Sequence, residues 1–121
     1  MNRLLESETS VLCEKMLDFT ARRSKVLAHN VANMNTPGFR RSDVKFSDDL
    51  ERVLRDKGIE GVRNLGFRIV KEENTPIRND GNDAPIEKEM AMQAENAIQY
   101  QIYAQLLSRR FRSIREILKE A

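Results

Sequence analysis

The chain has 121 residues and a formal net charge of +2, from 21 Lys and Arg against 19 Asp and Glu. A charge this small does not by itself predict a nucleic-acid or membrane partner. The single cysteine, Cys13, excludes an internal disulfide, and aromatic residues make up only 6% of the chain. This composition favours helices lined with Leu, Ile, Ala and Met over a β-sandwich.

The first residues predict no Sec-type signal peptide. They are already acidic at Glu6 and Glu8, and they lack an apolar h-region with a small-residue cleavage site. No run of about 18 apolar residues occurs, so the sequence predicts no membrane-spanning helix. A role outside the cytoplasm would therefore need a different export route.

An apolar stripe predicts a long first helix from about Leu4 to Met34. Its members recur at spacings of three, four and seven: Leu5, Leu12, Met16, Phe19, Val26, Leu27, Val31 and Met34. The segment Asn35–Gly38 then ends the helix, because the residue before a proline avoids the α region and Pro-Gly favours a type II turn.

A second long helix is predicted from near Pro85 almost to the C-terminus. Acidic residues such as Glu87 stand near its start and basic residues such as Lys119 near its end, which complements the helix dipole. Its broad apolar face consists of Ile86, Met90, Ala94, Ala97, Tyr100, Tyr103, Ala104, Leu107, Phe111, Ile114 and Leu118. Four further residues widen that face: Ile98, Ile102, Leu106 and Ile117.

The predicted fold is mainly α, with two long terminal helices that pair as one coiled-coil-like axial domain, 1–36 and 84–121. Residues 37–83 form a short, turn-rich middle region. Each helix would be roughly 45–50 Å long, more than a globule of this size needs. One antiparallel partner helix cannot cover so broad an apolar face. The leftover apolar surface predicts contacts with further chains.

Within the middle region, a small helix and a possible β-hairpin are predicted. Ser47–Asp49 resembles a capped helix entry, and the helix is expected to end near Gly58. Leu65–Lys71 is rich in β-favouring residues, and Asn79–Asn82 is a strong turn signal. The segment is expected to form a small hairpin or an extended ribbon.

The candidate catalytic and metal-ligating residues do not form a site. His29 is the only histidine, and on one helix it would lie roughly 24 Å along the axis from Cys13. The loop that begins at Asp80 resembles a calcium loop in composition only, because its twelfth position is Ala91 instead of a bidentate Glu. We therefore predict no enzyme activity, no cofactor and no metal.

Three basic clusters, at 22–25, 40–41 and 109–112, are the next candidates. The nearly equal number of acidic residues favours solvated or subunit-bridging surfaces over a nucleic-acid interface, although a weak nucleic-acid binder is kept as an alternative.

The segment Leu27–Phe39 carries two features that suggest helix contacts. Ala28 and Ala32 are four residues apart, which would allow close approach of another helix. Asn30 and Asn33 lie on or beside the apolar face, where amides fix register between helices. Two interpretations stay open at this point, register-fixing asparagines and asparagines that only cap a helix end.

The run from Val26 to Phe39 resembles the rod-protein signature of the flagellar axial family, which rod and hook subunits share. Arg40–Phe46 and the short middle region are similar to the FlgB-type proximal rod subunits of that family. Further similarity lies in the family's second block, at 80–82, 87–91, Asn96, Tyr100 and Gln101. The pair Ala84-Pro85 departs from the Val-Asp-like pair that we expect there.

The resemblance implies a structural subunit of the bacterial flagellar basal-body rod that self-assembles around an axial channel, transmits torque and serves motility. The implied partners are copies of itself, other rod proteins, the rod base adaptor and the flagellar type III export gate. Export through that apparatus would need no cleaved signal peptide. The alternative function is a soluble intracellular helical adaptor.

The predicted assembly interface combines the two stripes with the signature. On the first helix it contains Leu5, Leu12, Met16, Phe19, Leu27, Ala28, Asn30, Val31, Ala32 and Asn33. On the second it contains Met90, Ala94, Ala97, Tyr100, Tyr103, Ala104, Leu107, Phe111, Ile114 and Leu118. The signature turn contributes Asn35, Thr36, Pro37, Gly38 and Phe39.

Overall fold

The computed structural model describes residues 7–73 and 85–120. In this part of the chain the elements are α1 Glu8–Asn33, β1 Ser42–Phe46, α2 Leu50–Arg63, β2 Phe67–Lys71 and α3 Pro85–Glu120. The two long helices pack together, and the strands form a two-stranded sheet between them in sequence. The predicted mainly α fold with a small middle hairpin is confirmed.

Helix α1 begins at a side-chain cap and ends at the signature turn. The Ser7 hydroxyl accepts a hydrogen bond from the backbone N–H of Ser10 at 3.1 Å, which satisfies one of the unpaired N–H groups of the first turn. After the helix, Phe39 N–H donates to the Thr36 carbonyl at 3.0 Å, and Gly38 has a φ of 77°. These are the features of a type II turn, as predicted. The predicted start at Leu4 lies outside the described residues.

Helix α2 begins where its capping residues predict. The Asp49 side chain accepts a hydrogen bond from Arg52 N–H at 3.2 Å. At Gly58, with φ 70° and ψ −165°, the helix is interrupted, yet a further helical stretch follows to Arg63. The sequence prediction placed the end of the helix at this glycine. The chain turns back into helix because Ile59 and Val62 pack into the core.

Strands β1 and β2 pair antiparallel, with Ser42 opposite Lys71 and Phe46 opposite Phe67. The extended character of Leu65–Lys71 was predicted, but its partner strand β1 was not. The two strands are connected through α2, and the predicted turn Asn79–Asn82 lies outside the described residues.

The hydrophobic core of the described chain lies between α1, α2 and the sheet. Its centre consists of Val53, Val62 and Leu65, and the packed side chains around it are Leu12, Phe46, Leu50, Leu54 and Ile59. Lys15 on α1 donates to the carbonyl of Arg63, the last residue of α2, at 3.0 Å and to that of Leu65 at 2.8 Å. No residue of α3 belongs to this cluster.

Beside the core, α1 carries an aromatic side chain to the sheet. The ring of Phe19 stacks on that of Phe46 with centroids 4.6 Å apart and lies 6.0 Å from Phe67. The guanidinium of Arg22 lies 4.9 Å from the Phe67 ring centroid, within the range of a cation–π contact. The middle region is therefore attached to α1 by packing that is independent of α3.

Helices α1 and α3 run antiparallel. Asn96 donates to the Thr20 carbonyl at 2.8 Å, and farther along both helices Asn30 contacts Glu89. Ser7 lies 13 residues before Thr20 and Arg109 lies 13 residues after Asn96, so these two residues are level. The last turns of α3 extend beyond the described start of α1. None of the described helices is long and apolar enough to cross a membrane.

Candidate assembly interface and its polar latch

Asn30 lies at the junction of α1, β1 and α3 and is 0% exposed. Its amide nitrogen donates to the Ser42 carbonyl at 2.7 Å and to Glu89 Oε2 at 3.2 Å. Its amide oxygen accepts from Ser42 N–H at 3.0 Å. Of the two interpretations left open by the sequence, Asn30 fits register fixing, within its own chain.

Asn33, one turn later, fits the other interpretation. Its amide nitrogen donates to the His29 carbonyl at 2.9 Å, and both residues belong to the exposed end of α1. The imidazole of His29 in turn meets the ring of Phe39 edge-on, with centroids 5.9 Å apart. The side chains of Ala28 and Ala32 are exposed, so none of the described helices covers the predicted small-residue strip.

Glu89 is a carboxylate that is 1% exposed, and it is compensated by two donors. Arg41, which immediately precedes β1, donates through Nε to Glu89 Oε1, and Asn30 donates to the other oxygen. A buried carboxylate requires such pairing, because an isolated charge in a low-dielectric interior is strongly unfavourable. Asn30, Arg41 and Glu89 are called the polar latch below.

Asp43 and Arg23 support the polar latch from the side. Arg23 forms a two-pronged pair with Asp43, at 2.8 and 3.1 Å, and Arg41 Nη2 lies 3.5 Å from Asp43 Oδ2. Burial raises the pKa of Asp43, but the hydrogen bond from Arg23 and the nearby charges outweigh it, so the pKa lies below the ordinary value. Burial likewise disfavours the charged form of Arg41, yet the bond to Glu89 leaves its pKa raised.

The face of α3 that packs on α1 carries several polar side chains. Besides Glu89, it carries Asn96, which is 1% exposed, and Gln93, whose amide donates to the Ser24 carbonyl at 3.4 Å. Within the described chain the side-chain oxygens of Gln93 and Asn96 are buried without a hydrogen-bond partner. Helix pairing here relies on polar groups, two of which are incompletely satisfied.

The opposite side of α3 is open to solvent and carries a row of large apolar residues. Ile98, Ile102 and Leu106, four residues apart, are called the outer face. Across α3, eight large apolar side chains are between 45% and 67% exposed: Met90, Ile98, Tyr100, Ile102, Leu106, Phe111, Ile117 and Leu118. Isolated apolar residues are common on protein surfaces, but eight on one helix, three of them aligned on the outer face, are more than a monomer needs to expose.

The residues predicted from sequence as the interface fall into three groups. Leu27 and Asn30 are buried, and half-buried positions are Leu12, Met16, Phe19, Val31, Asn33, Phe39, Tyr103, Ala104, Leu107 and Ile114. Exposed positions are Ala28, Ala32, Asn35, Thr36, Pro37, Gly38, Met90, Ala94, Ala97, Tyr100, Phe111 and Leu118. Leu5 lies outside the described residues. Leu12 and Phe19 pack against the middle region of their own chain, whereas no described residue covers the exposed group.

Sequence reasoning did not identify Arg41, Asp43 and Glu89 as a cluster. Glu89 was considered as an acidic residue near a helix start and as part of the segment 87–91 that resembles the rod family. Glu89, Gln93 and Asn96 are spaced by four and three and so share one stripe of α3. Because polar residues also occur on the other sides of this helix, the stripe does not stand out in the sequence.

Cys13 and His29, the two residues weighed for catalysis, differ in their exposure to solvent. Cys13 is buried, and burial, helped by the charge of Glu14, raises the pKa of its thiol. His29 is exposed. In the described ranges no three His, Cys, Asp or Glu side chains are grouped so that they could hold a metal ion.

Comparison of the sequence with known proteins identifies the family of this chain. The family described as "Flagella basal body rod protein" matches residues 19–40, which include Asn30 and the signature turn. Over 126 residues the chain is 30% identical to the flagellar basal body rod protein FlgB of Borrelia hermsii, covering 89% of this chain and 93% of that protein. The chain belongs to the FlgB family of flagellar basal body rod proteins.

Other FlgB proteins match over nearly the same extent. The protein of Escherichia coli strain K12 is 24% identical over 124 residues, covering 88% of this chain and 89% of its own length. The protein of Bacillus subtilis strain 168 is 25% identical over 107 residues, covering 79% and 81%. The similarity to FlgB thus includes both long helices as well as the signature.

Proposed function

We propose that this chain assembles into the flagellar rod by burying the outer face of α3 against neighbouring subunits around an axial channel. As a member of the FlgB family, it is a structural subunit of the flagellar basal body rod. The proposal adds the surface through which it polymerises, its position in the proximal rod and its part in transmitting torque.

The observation that supports this proposal is the outer face itself. Ile98, Ile102 and Leu106 are 58%, 50% and 45% exposed on a helix that contributes nothing to the core described above. Burial of apolar surface is worth roughly 25 cal/mol per Å², so a helix with this much exposed apolar area gains stability in an assembly. Assembly into the polymer then raises the stability of the folded subunit, because only the folded subunit binds its neighbours.

The partners that we propose are copies of this chain, other rod proteins, the rod base adaptor and the flagellar type III export gate. Export through that apparatus without a cleaved signal would bring the subunit to the rod. We also propose that the chain has no catalytic role and that it needs no cofactor. Family membership supports these proposals.

The experiment replaces the outer face without touching the contact with α1. The triple variant carries Ile98→Gln, Ile102→Gln and Leu106→Gln. We expect its monomer to fold normally but not to co-purify with basal bodies, and we expect cells that carry it to be non-motile. Glutamine is a good helix former, so helix propensity is preserved. The matched control is Gln101→Ala with Gln105→Ala, two exposed positions on the same helix, which should assemble and swim normally.

Normal incorporation of the triple variant would contradict the proposal. Fractionation separates the alternative function, since a soluble intracellular adaptor would stay in the cytoplasmic fraction and be absent from purified basal bodies.

A further inference from the structure

We infer that the polar latch determines which side of α3 faces α1, and thereby holds the outer face toward other subunits. Asn30, Arg41 and Glu89 are positioning residues for assembly in this inference. Its structural half concerns the single chain, and its functional half rests on the proposed function.

The apolar pattern of α3 does not select one orientation on α1. At 100° per residue, Ile98, Ile102 and Leu106 lie about 200°, 240° and 280° around the helix from Asn96. Tyr103 and Leu107, in contrast, lie within about 20° of Asn96 and are half-buried. Because large apolar residues occur on both sides, α3 could pack on α1 with either side inward.

The orientation observed has two energetic costs. It places Glu89, Gln93 and Asn96 against α1 and leaves the outer face in solvent. It also leaves the amide oxygens of Gln93 and Asn96 buried and unpaired in the described chain. A specific interaction must therefore offset these costs.

The polar latch supplies that interaction, because it connects α3 to groups that are fixed elsewhere. Asn30 is held by both backbone groups of Ser42, and Arg41 is held by Asp43 and Glu72. Both donors therefore converge on one place on α3, where the carboxylate of Glu89 accepts from each of them.

Rotation of α3 by half a turn would remove Glu89 from these donors. The side chain of Arg41, which is 15% exposed, would lose its buried counter-ion, and Asn30 would lose one of its acceptors. Buried polar residues are known to select one register or orientation among several apolar alternatives, at a cost in stability. The polar latch has the composition and the position for this role.

The test measures the orientation of α3 directly in the purified full-length chain. In a Cys13→Ser background, one reporter is Gln105→Cys, on the exposed side, and the other is Asn96→Cys, on the buried side. With the polar latch intact, we expect maleimide to modify the first reporter at least about tenfold faster than the second, because the buried thiol reacts only after local opening.

The decisive variant is Arg41→Met with Glu89→Leu. It removes the buried charge pair and leaves both bonds between Asn30 and Ser42 in place. We expect the labelling ratio to fall toward one, while the helix content measured by circular dichroism is retained. In cells, we expect reduced incorporation into basal bodies although the outer face is unchanged in sequence.

Two outcomes would overturn the inference. An unchanged labelling ratio with retained helix content would show that α3 keeps its orientation without the charge pair. Loss of the helical signal would show that the pair holds the fold itself and does not select an orientation. The labelling requires no assembly, so failure of this inference is distinguishable from failure of the proposed function, which the triple variant tests.

Discussion

The side chain of Asn30 pairs with both backbone polar groups of Ser42, accepting from its N–H at 3.0 Å and donating to its carbonyl at 2.7 Å. A neighbouring strand would supply the same two bonds to a residue at a sheet edge. The side chain of Asn30 thus connects the end of α1 to Ser42, the first residue of β1, with the pair of bonds that a neighbouring strand would make. The remaining amide hydrogen reaches Glu89 on α3, so one side chain connects three elements.

This arrangement predicts a large cost for Asn30→Ala. The substitution removes two hydrogen bonds from Ser42 and one from Glu89, and water cannot readily replace the bond to Glu89 because this side chain is 1% exposed. We expect the free energy of unfolding in urea to decrease by about 2–3 kcal/mol. The matched control is Asn33→Ala. The Asn33 amide donates to the carbonyl of His29 on the same helix, so we expect the unfolding free energy to change by at most about 0.5 kcal/mol. Equal effects of the two substitutions would contradict this account.

The ion pair of Asp43 predicts a loss of stability in acid. Since the pKa of Asp43 is lowered in the folded chain, its contribution is complete above the ordinary aspartate pKa of about 3.9. That contribution disappears as pH falls through the lower pKa of the folded state. In Asp43→Asn, denaturation series from neutral to acid pH should show a smaller decrease in unfolding free energy than in the parent chain. The same decrease in both proteins would show that Asp43 is not a source of the acid sensitivity.

The signature turn predicts a conformational cost for Gly38→Ala. With φ at 77°, Gly38 occupies a region that L-residues adopt at a cost of about 1–2 kcal/mol. An added Cβ would meet no atom within 4 Å, so the cost comes from the backbone alone. Gly66→Ala is the matched control, because its Cβ would make an ordinary 3.7 Å contact with Ser47 Oγ. A thermal melt should separate the two variants, with Gly38→Ala the less stable.

The unpaired amide oxygens predict that the pairing of α1 and α3 can be strengthened. Replacing Asn96 with Leu removes a buried acceptor that lacks a partner in the described chain, at the loss of one bond to the Thr20 carbonyl. We expect the unfolding free energy to rise by on the order of 1 kcal/mol. The control Gln101→Leu, at an exposed position, should change it little. A clear destabilisation by Asn96→Leu would mean that the single bond to Thr20 outweighs the unpaired oxygen.

The long helices and the signature turn could be predicted because their determinants are local. Apolar spacing over many residues specifies a helix, and Pro37-Gly38 specifies both its end and the turn type. The break at Gly58 was also visible in the sequence. The continuation to Arg63 was not, since it depends on Val62 reaching a core that the sequence alone does not display.

Strand β1 was missed although its signal was present. In Ser42–Phe46 the inward Val44 and Phe46 alternate with polar residues, which is the period of a half-buried strand. The segment is short and directly follows the signature. It was interpreted only through its resemblance to the rod family, and its alternation was not used to predict a strand.

The polar face of α3 could not be predicted from local pattern. Its bonds join residues that are 48 to 76 positions apart, from Arg41 with Glu89 to Thr20 with Asn96. On α3 alone, the apolar residues outnumber these polar ones and cover more than one side. The face turned to α1 is therefore decided by tertiary partners, and the division into an axial domain and a separate middle region stays a prediction.

The location of the core within α1, α2 and the sheet has a consequence for the order of folding. These elements lie within residues 7–73, so their loops close over short sequence distances, whereas α3 must return across a longer one. We expect α3 to dock last and to release first, so its amide protons should exchange with solvent sooner than those of Val53 and Val62. At high protein concentration, two copies could then form a domain-swapped dimer by exchanging α3, while each copy retains its own core.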